Sequence, residues 1–284
     1  MKSKNQIPNY DKLVEATFSA LKNLGGSGKN EEINEEASKL LNLSDEILDI
    51  AHSDSSSMSE INYRFAWART LLKNYGAIEN SARCVWSVTP DFSNINTVNG
   101  DYINKNFHKK QLQKNISEEQ QMEQNGIEVP EEIKPWRKKL HNILINMNPY
   151  SFEKLSQRLL RECGFEDVHV TKKSGDGGID GTGRLKINGI FSFNIAFQCK
   201  RYQGTVGTPE IRDFRGSLTT DIEKGVFITT GTFSKSAIDE ASNPGKQQID
   251  LIDGEEFMSK LAEYGIGLKE VKDYEIDENY FEKL

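Results

Sequence analysis

Asp180, Gln198 and Lys200 bring together a carboxylate, an amide oxygen and an ammonium within a short stretch of the C-terminal half. Metal-assisted phosphodiester cleavage needs such a grouping. Hard oxygen ligands hold Mg²⁺, with Mn²⁺ as a substitute ion, beside the scissile phosphate. A nearby cation orients the attacking water or stabilises the charge that develops. The three side chains serve that chemistry only if the chain places them on one face.

The local pattern places them so. Phe191, Phe193, Ile195, Phe197 and Cys199 fall on one parity, and Ser192, Asn194, Ala196, Gln198 and Lys200 on the other. This is the alternation of a strand with one face in a core. The preceding segment alternates in the same way, with Leu185 and Ile187 against Arg184 and Lys186, and Asn188-Gly189 signals a turn between the two. A two-residue turn would set Lys186 against Phe191 and mix the faces. A longer loop with Gly189 in a bulge sets Ile187 against Phe191, and every later pair then matches in character. In that register Asp180 faces Gln198, with Cβ atoms about 5 Å apart. Cys199 falls on the apolar parity and reads as core, which leaves its backbone carbonyl as a candidate metal ligand.

The pattern Asp180…Gln198-Cys199-Lys200 on a hairpin resembles the core of the PD-(D/E)xK nucleases. More narrowly, GDGGIDG (175–181) followed by FQCKRY (197–202) resembles the Mrr-type restriction endonucleases, in which Gln stands at the second ligand position. The likeness continues through FEKLSQRLLRECGF (152–165), GTPEIRDFRGSL (207–218) and GVFITTGTFSKSAIDEA (225–241), in the family's order and over roughly the C-terminal half. It implies a Mg²⁺-dependent endodeoxyribonuclease that serves host defence, often against modified DNA. It also implies a place beside the metal for Glu153. Read from the residues alone, Glu153 is a first-turn charge that favours a helix dipole.

Composition narrows the alternatives. The apolar fraction of 36%, with 14 Phe and 3 Trp, supports packed cores in a chain of 284 residues, long enough for two domains. No apolar run reaches the roughly 20 residues of a membrane helix, and no signal-peptide core follows the N-terminus. Cys84, Cys163 and Cys199 are widely spaced, without metal-finger spacing, and point to the cytoplasm. Net charge is −7, of which residues 270–284 carry −4, so a local basic face on double-stranded DNA remains compatible with the balance.

The elements around the hairpin follow from periodicity. Residues 1–100 read as helices followed by a short hairpin, the order of a winged helix-turn-helix. The block RFAWARTLLKNYGAI (64–78) is similar to the N-terminal domain of Mrr-type proteins. On the functional reading, the helix Glu60–Tyr75 reads DNA, with Asn62 and Arg64 near its start and Arg83 in the wing. The plain alternative is a small helical domain with a solvated charged face. Residues 101–134 read as a polar linker, 135–270 as the nuclease domain and 271–284 as an acidic tail. Within the nuclease domain, Ser151 reads as the cap of the helix carrying Glu153, and Thr208 as the cap of the next. The sum is an α/β/α core around a mixed sheet of about five strands.

Asp176 reads as turn chemistry, and the four histidines are scattered. Competing functions are a non-catalytic DNA-binding or regulatory protein on a nuclease scaffold, and an RNase or junction-resolving enzyme with the same core. The presence of both Asp180 and Lys200 favours catalysis. One core cuts one strand, so a double-strand break asks for a homodimer or larger assembly on DNA.

Overall fold

In the computed structural model, the described residues are 6–52, 57–82, 84–108, 129–170, 178–187 and 190–271. Asn9 caps the first helix, α1 (Tyr10–Asn23), by accepting from Lys12 N. A short strand, β1 (Ser27–Lys29), leads into α2 (Asn30–Leu40), and one helical turn, α3 (Asp45–Leu48), follows. Ser59 Oγ then caps α4 (Glu60–Tyr75), and Gly76, at φ +84°, closes it in the left-handed conformation that glycine adopts without strain. Strands β2 (Ile78–Ala82) and β3 (Val85–Val88) complete a sheet of order β1-β3-β2. Leu13, Phe18, Ile33, Phe65, Trp67 and Leu72 are buried in the shared core.

Two features depart from the sequence reading. GGSG (25–28), which by composition reads only as the close of α1, also enters β1, in which Gly28 pairs with Trp86. The expected linker does not start at 101. Helix α5 (Gly100–His108) packs on α1 and buries Ile103 completely. A 3₁₀ turn at Glu131–Ile133, also expected as linker, lies against α4. Most of the polar run between them, and the tail from 272, lie outside the described residues.

The C-terminal half begins with α6 (Pro135–Asn146) and α7 (Pro149–Glu162). Strands β4 (Phe165–Val170), β5 (Gly181–Ile187) and β6 (Phe191–Lys200) follow, then β7 (Thr205–Val206), α8 (Thr208–Ser217), β8 (Lys224–Thr229) and β9 (Thr232–Phe233). Helix α9 (Lys235–Ala241), strand β10 (Ile249–Ile252) and helix α10 (Gly254–Glu263) end the domain. The five-stranded sheet has the order β10-β8-β6-β5-β4 and is mixed: β4, β5 and β6 pair antiparallel, and β6, β8 and β10 pair parallel. One face packs Ile195, Phe197, Val226 and Ile228 against Phe152, Phe257 and Met258; the other packs Phe227 and Ile249 against Ile211, Phe214 and Ala237. Two helical layers thus enclose the sheet, as both faces of a parallel core require. Among the described residues no helix is long and apolar enough to cross a membrane.

The hairpin register is Ile187 to Phe191 and Gly181 to Phe197, which is the longer-loop register. Its outer end is less buried than the alternation suggests, with Phe191 62% and Phe193 37% exposed. Strand β8 first meets β6 at Ile195, so the hairpin projects beyond its pairing with β8.

Candidate active site

Asp180 stands immediately before β5, where the hairpin ladder ends. Its backbone N–H still bonds Phe197 O (3.0 Å), and its Oδ2 accepts from Cys199 N (2.6 Å). In a strand the N–H and C=O of one residue point to the same side. The Cys199 carbonyl therefore faces the edge on which Asp180 lies, while Lys200 O turns to β8 and accepts from Thr229 Oγ1 (2.9 Å). Gly181 fixes this meeting. A Cβ there would lie 2.2 Å from His169 O and 2.3 Å from the Phe197 ring, so β4, β5 and β6 close only around glycine.

Gln198 is positioned by a second glycine. Gly178 has φ +96°, and a Cβ on it would come 2.6 Å from Gln198 Nε2. Gly178 thus lets backbone run against the amide that emerges from β6. Lys200 is 40% exposed at the strand end, with Nζ 3.7 Å from Glu210 Oε1 and 5.7 Å from the Tyr202 ring centre. Glu210 was not singled out in the sequence. It belongs to a capping arrangement in which its Oε2 accepts from Gly207 N (3.2 Å), one residue ahead of the expected Thr208 cap. A Glu at the third helical position was the available signal.

Glu153 reaches the site from α7. That helix starts earlier than expected: Asn148 caps it through Tyr150 N (3.0 Å), and Ser151 lies inside it. Glu153 consequently falls in the second turn, where the pull of the helix dipole has faded. Its charge instead acts on Asp180. Burial pushes the Asp180 carboxyl up from its ordinary 3.8 to about 6, and Glu153 adds to that, against the opposing Cys199 N–H. Burial raises the Cys199 thiol well above its ordinary value, which rules it out as a thiolate nucleophile.

The oxygen donors are hard: the Asp180 and Glu153 carboxylates, the Gln198 amide and the Cys199 carbonyl. They suit Mg²⁺, which binds through one or two carboxylates and completes its shell with water and substrate phosphate. Two carboxylates acting on each other, one of them resisting ionisation, form a site that a cation relieves. Among the described residues no cluster of three or more His, Cys, Asp or Glu side chains stands ready to hold a metal.

Because the folded Asp180 carboxyl titrates near 6 and the unfolded one near 3.8, the folded chain holds the extra proton between those values. Stability of the metal-free protein should therefore fall as pH rises through that window. Asp180→Asn should weaken the dependence, leaving the share set by Asp253, whose carboxyl burial likewise pushes up to about 7: thermal melting in EDTA should show the variant above the parent at pH 8 and the two converging near pH 4. Parallel curves would contradict the burial argument.

The expected DNA-reading residues are distributed differently. Asn62 is exposed and accepts from Asn34 Nδ2 (3.1 Å). Arg64 is turned back on its own helix, with Nε 2.9 Å from Glu60 Oε1 and its guanidinium over the Tyr10 ring. Arg83 and Asp176 lie outside the described residues. Opposite the inner stripe of α4 (Ile61, Phe65, Ala68 and Leu72), the surface with Tyr63, Ala66, Trp67 and Thr70 is also buried. In this conformation α4 offers no open reading face.

Two family models match the chain. A restriction endonuclease model, the Mrr catalytic domain, matches residues 144–261, and the Mrr N-terminal domain matches residues 10–94. The type IV methyl-directed restriction enzyme EcoKMrr of Escherichia coli (strain K12) is 27% identical over 315 aligned positions, covering 97% of this chain and 99% of that protein. Among solved structures, the DNA modification-dependent restriction endonuclease AspBHI is 18% identical over 66% of this chain and 56% of its own, with a TM-score of 0.42. The MspJI restriction endonuclease in complex with a 27-mer oligonucleotide is 18% identical over 62% of this chain and 47% of its own, with a TM-score of 0.41. The chain spans about half the length of these two solved proteins.

Proposed function

The chain belongs to the Mrr-type restriction endonucleases, and on that premise we propose that it hydrolyses DNA phosphodiester bonds with Mg²⁺ at Asp180, Gln198 and Lys200. One observation carries the reading: the Asp180 carboxylate, fastened to Cys199 N–H and pushed up by burial and Glu153, sits where Gln198 and Lys200 leave β6. Asp180, Gln198, the Cys199 carbonyl and Glu153 would hold the cation. Once bound, the cation supplies Lewis-acid stabilisation of the charge that builds on the phosphate. Lys200, at the open strand end, orients the attacking water and neutralises part of that charge. The N-terminal domain selects the DNA through Asn62, Arg64 and Arg83 in a conformation that uncovers α4. Its similarity to a methyl-directed enzyme makes modified foreign DNA in the cytoplasm the proposed substrate.

Each nuclease core severs one strand, and the proposal has two copies meeting on the duplex. The direct test is incubation with plasmids of differing methylation, with and without Mg²⁺. Linear product from methylated plasmid alone, dependent on Mg²⁺, is the expected result. Accumulated nicked circles would overturn the dimer, and intact plasmid in every arm would overturn the nuclease reading.

A further inference from the structure

Arg69, in the middle of α4, is 1% exposed. Its Nη2 lies 2.8 Å from Glu132 Oε1, its Nη1 donates to Asn34 Oδ1, and its Nε has no hydrogen-bond partner among the described residues. The same Glu132 oxygen accepts from Asn30 Nδ2 (2.7 Å). Asn30 is the first residue of α2 and is held in place, with its Oδ1 accepting from Trp86 Nε1 (2.8 Å) and its N–H donating to Cys84 O (3.1 Å). A carboxylate therefore sits at the N-terminus of an eleven-residue helix, between a guanidinium and an oriented amide. That is the chemistry of an oxyanion site.

The position of this site matters. The order α1, β1, α2, α3, α4, β2, β3 with sheet β1-β3-β2 is that of a winged helix with one added helical turn, α3, and in such a fold α2 and α4 would meet the DNA backbone and groove. Glu132 comes from neither helix but from the turn at the far end of the connection to the nuclease domain. That turn is fixed on its other side: Arg137 Nε donates to Glu131 O (2.8 Å), and Arg137 Nη1 pairs with Glu255 Oε2 (3.0 Å). Glu255 also accepts from Ser57 Oγ of the N-terminal domain, and Lys235 N donates to Asp49 Oδ1 (3.1 Å). Burial would push the Glu132 carboxyl up, yet the Arg69 charge and the hydrogen bonds hold it below its ordinary range, so it remains an anion.

We propose that Arg69, Asn30 and Asn34 form a binding site for a DNA backbone phosphate, and that Glu132 occupies it in a closed form of the protein. The proposal rests on the reading of the N-terminal domain as the part that binds DNA. A phosphate displaces Glu132, and the same step loosens the turn that ties the two domains together. DNA engagement is thereby coupled to their separation, and apparent affinity is lowered by the fraction of molecules that are closed.

The test compares the full chain with Glu132→Gln and with Glu132→Gln carrying Arg69→Met, using anisotropy of a labelled duplex in EDTA. Glutamine keeps the shape and the acceptor but removes the charge, so Glu132→Gln should bind about tenfold more tightly and steepen the salt dependence by about one ion. The double variant should lose that gain. If Glu132→Gln leaves affinity and salt slope unchanged while the double variant weakens binding, the masking is wrong and the phosphate site stands. If neither substitution alters binding, the N-terminal reading itself falls. Hydrogen exchange on the unaltered chain guards against misfolded variants. Saturating duplex should speed exchange at Ile133 and Lys134, whose N–H groups bond Pro130 O and Glu131 O. Unchanged protection there would overturn the proposal.

Discussion

Asp180→Ala is expected to lower Mg²⁺-dependent DNA cleavage by at least about a thousandfold, because Lewis-acid stabilisation is worth several kcal/mol and each 1.4 kcal/mol is tenfold in rate. The fold should survive. Asp180 is half-buried at the end of a ladder, and its removal relieves a carboxylate that burial already disfavours. The cost is one acceptor for Cys199 N–H, on the order of 1–3 kcal/mol. DNA affinity should change little, since phosphate contacts elsewhere provide it. Gel assays over a Mg²⁺ series, with anisotropy in EDTA and thermal melts as controls, check all three points. Full cleavage by the variant would remove Asp180 from the metal site.

Lys200→Ala should reduce cleavage by about a hundredfold to a thousandfold, the usual cost of losing one group aimed at developing charge. Here too stability is insulated from the effect. The contact to Glu210 is a 3.7 Å ion pair with both partners partly exposed, worth at most about 1 kcal/mol. Single-turnover kinetics at saturating enzyme separate the roles: a charge-stabilising lysine lowers the cleavage rate and leaves the DNA concentration for half-saturation unchanged. Arginine at 200 should rescue little, because a planar fork does not replace a compact ammonium at a fixed point.

The parts of this site set by parity were legible. Ile187 opposite Phe191 follows from matching faces, and that register carries Asp180 to the end of β6. Parity says which face a residue occupies, though not how far the neighbouring strand extends, and so Phe191 and Phe193 read as core although β8 stops short of them. Local rules competed elsewhere. Ser151 and Thr208 are better caps by residue type than their positions allow, and Asn148 and Gly207 took those places, shifting Glu153 out of the first turn and bringing Glu210 to Lys200. β1 has no apolar alternation, and its pairing with β3 is a tertiary outcome. The covering of α4 was invisible for the same reason: Arg69 and Glu132 are 63 residues apart, and nothing local joins them.

The most direct test of a metal centre built on Asp180 is calorimetric titration of Mn²⁺ into the full chain and into Asp180→Ala, both without DNA at pH 8. A saturable binding heat is expected for the parent and none for the variant. Superimposable isotherms would contradict such a centre.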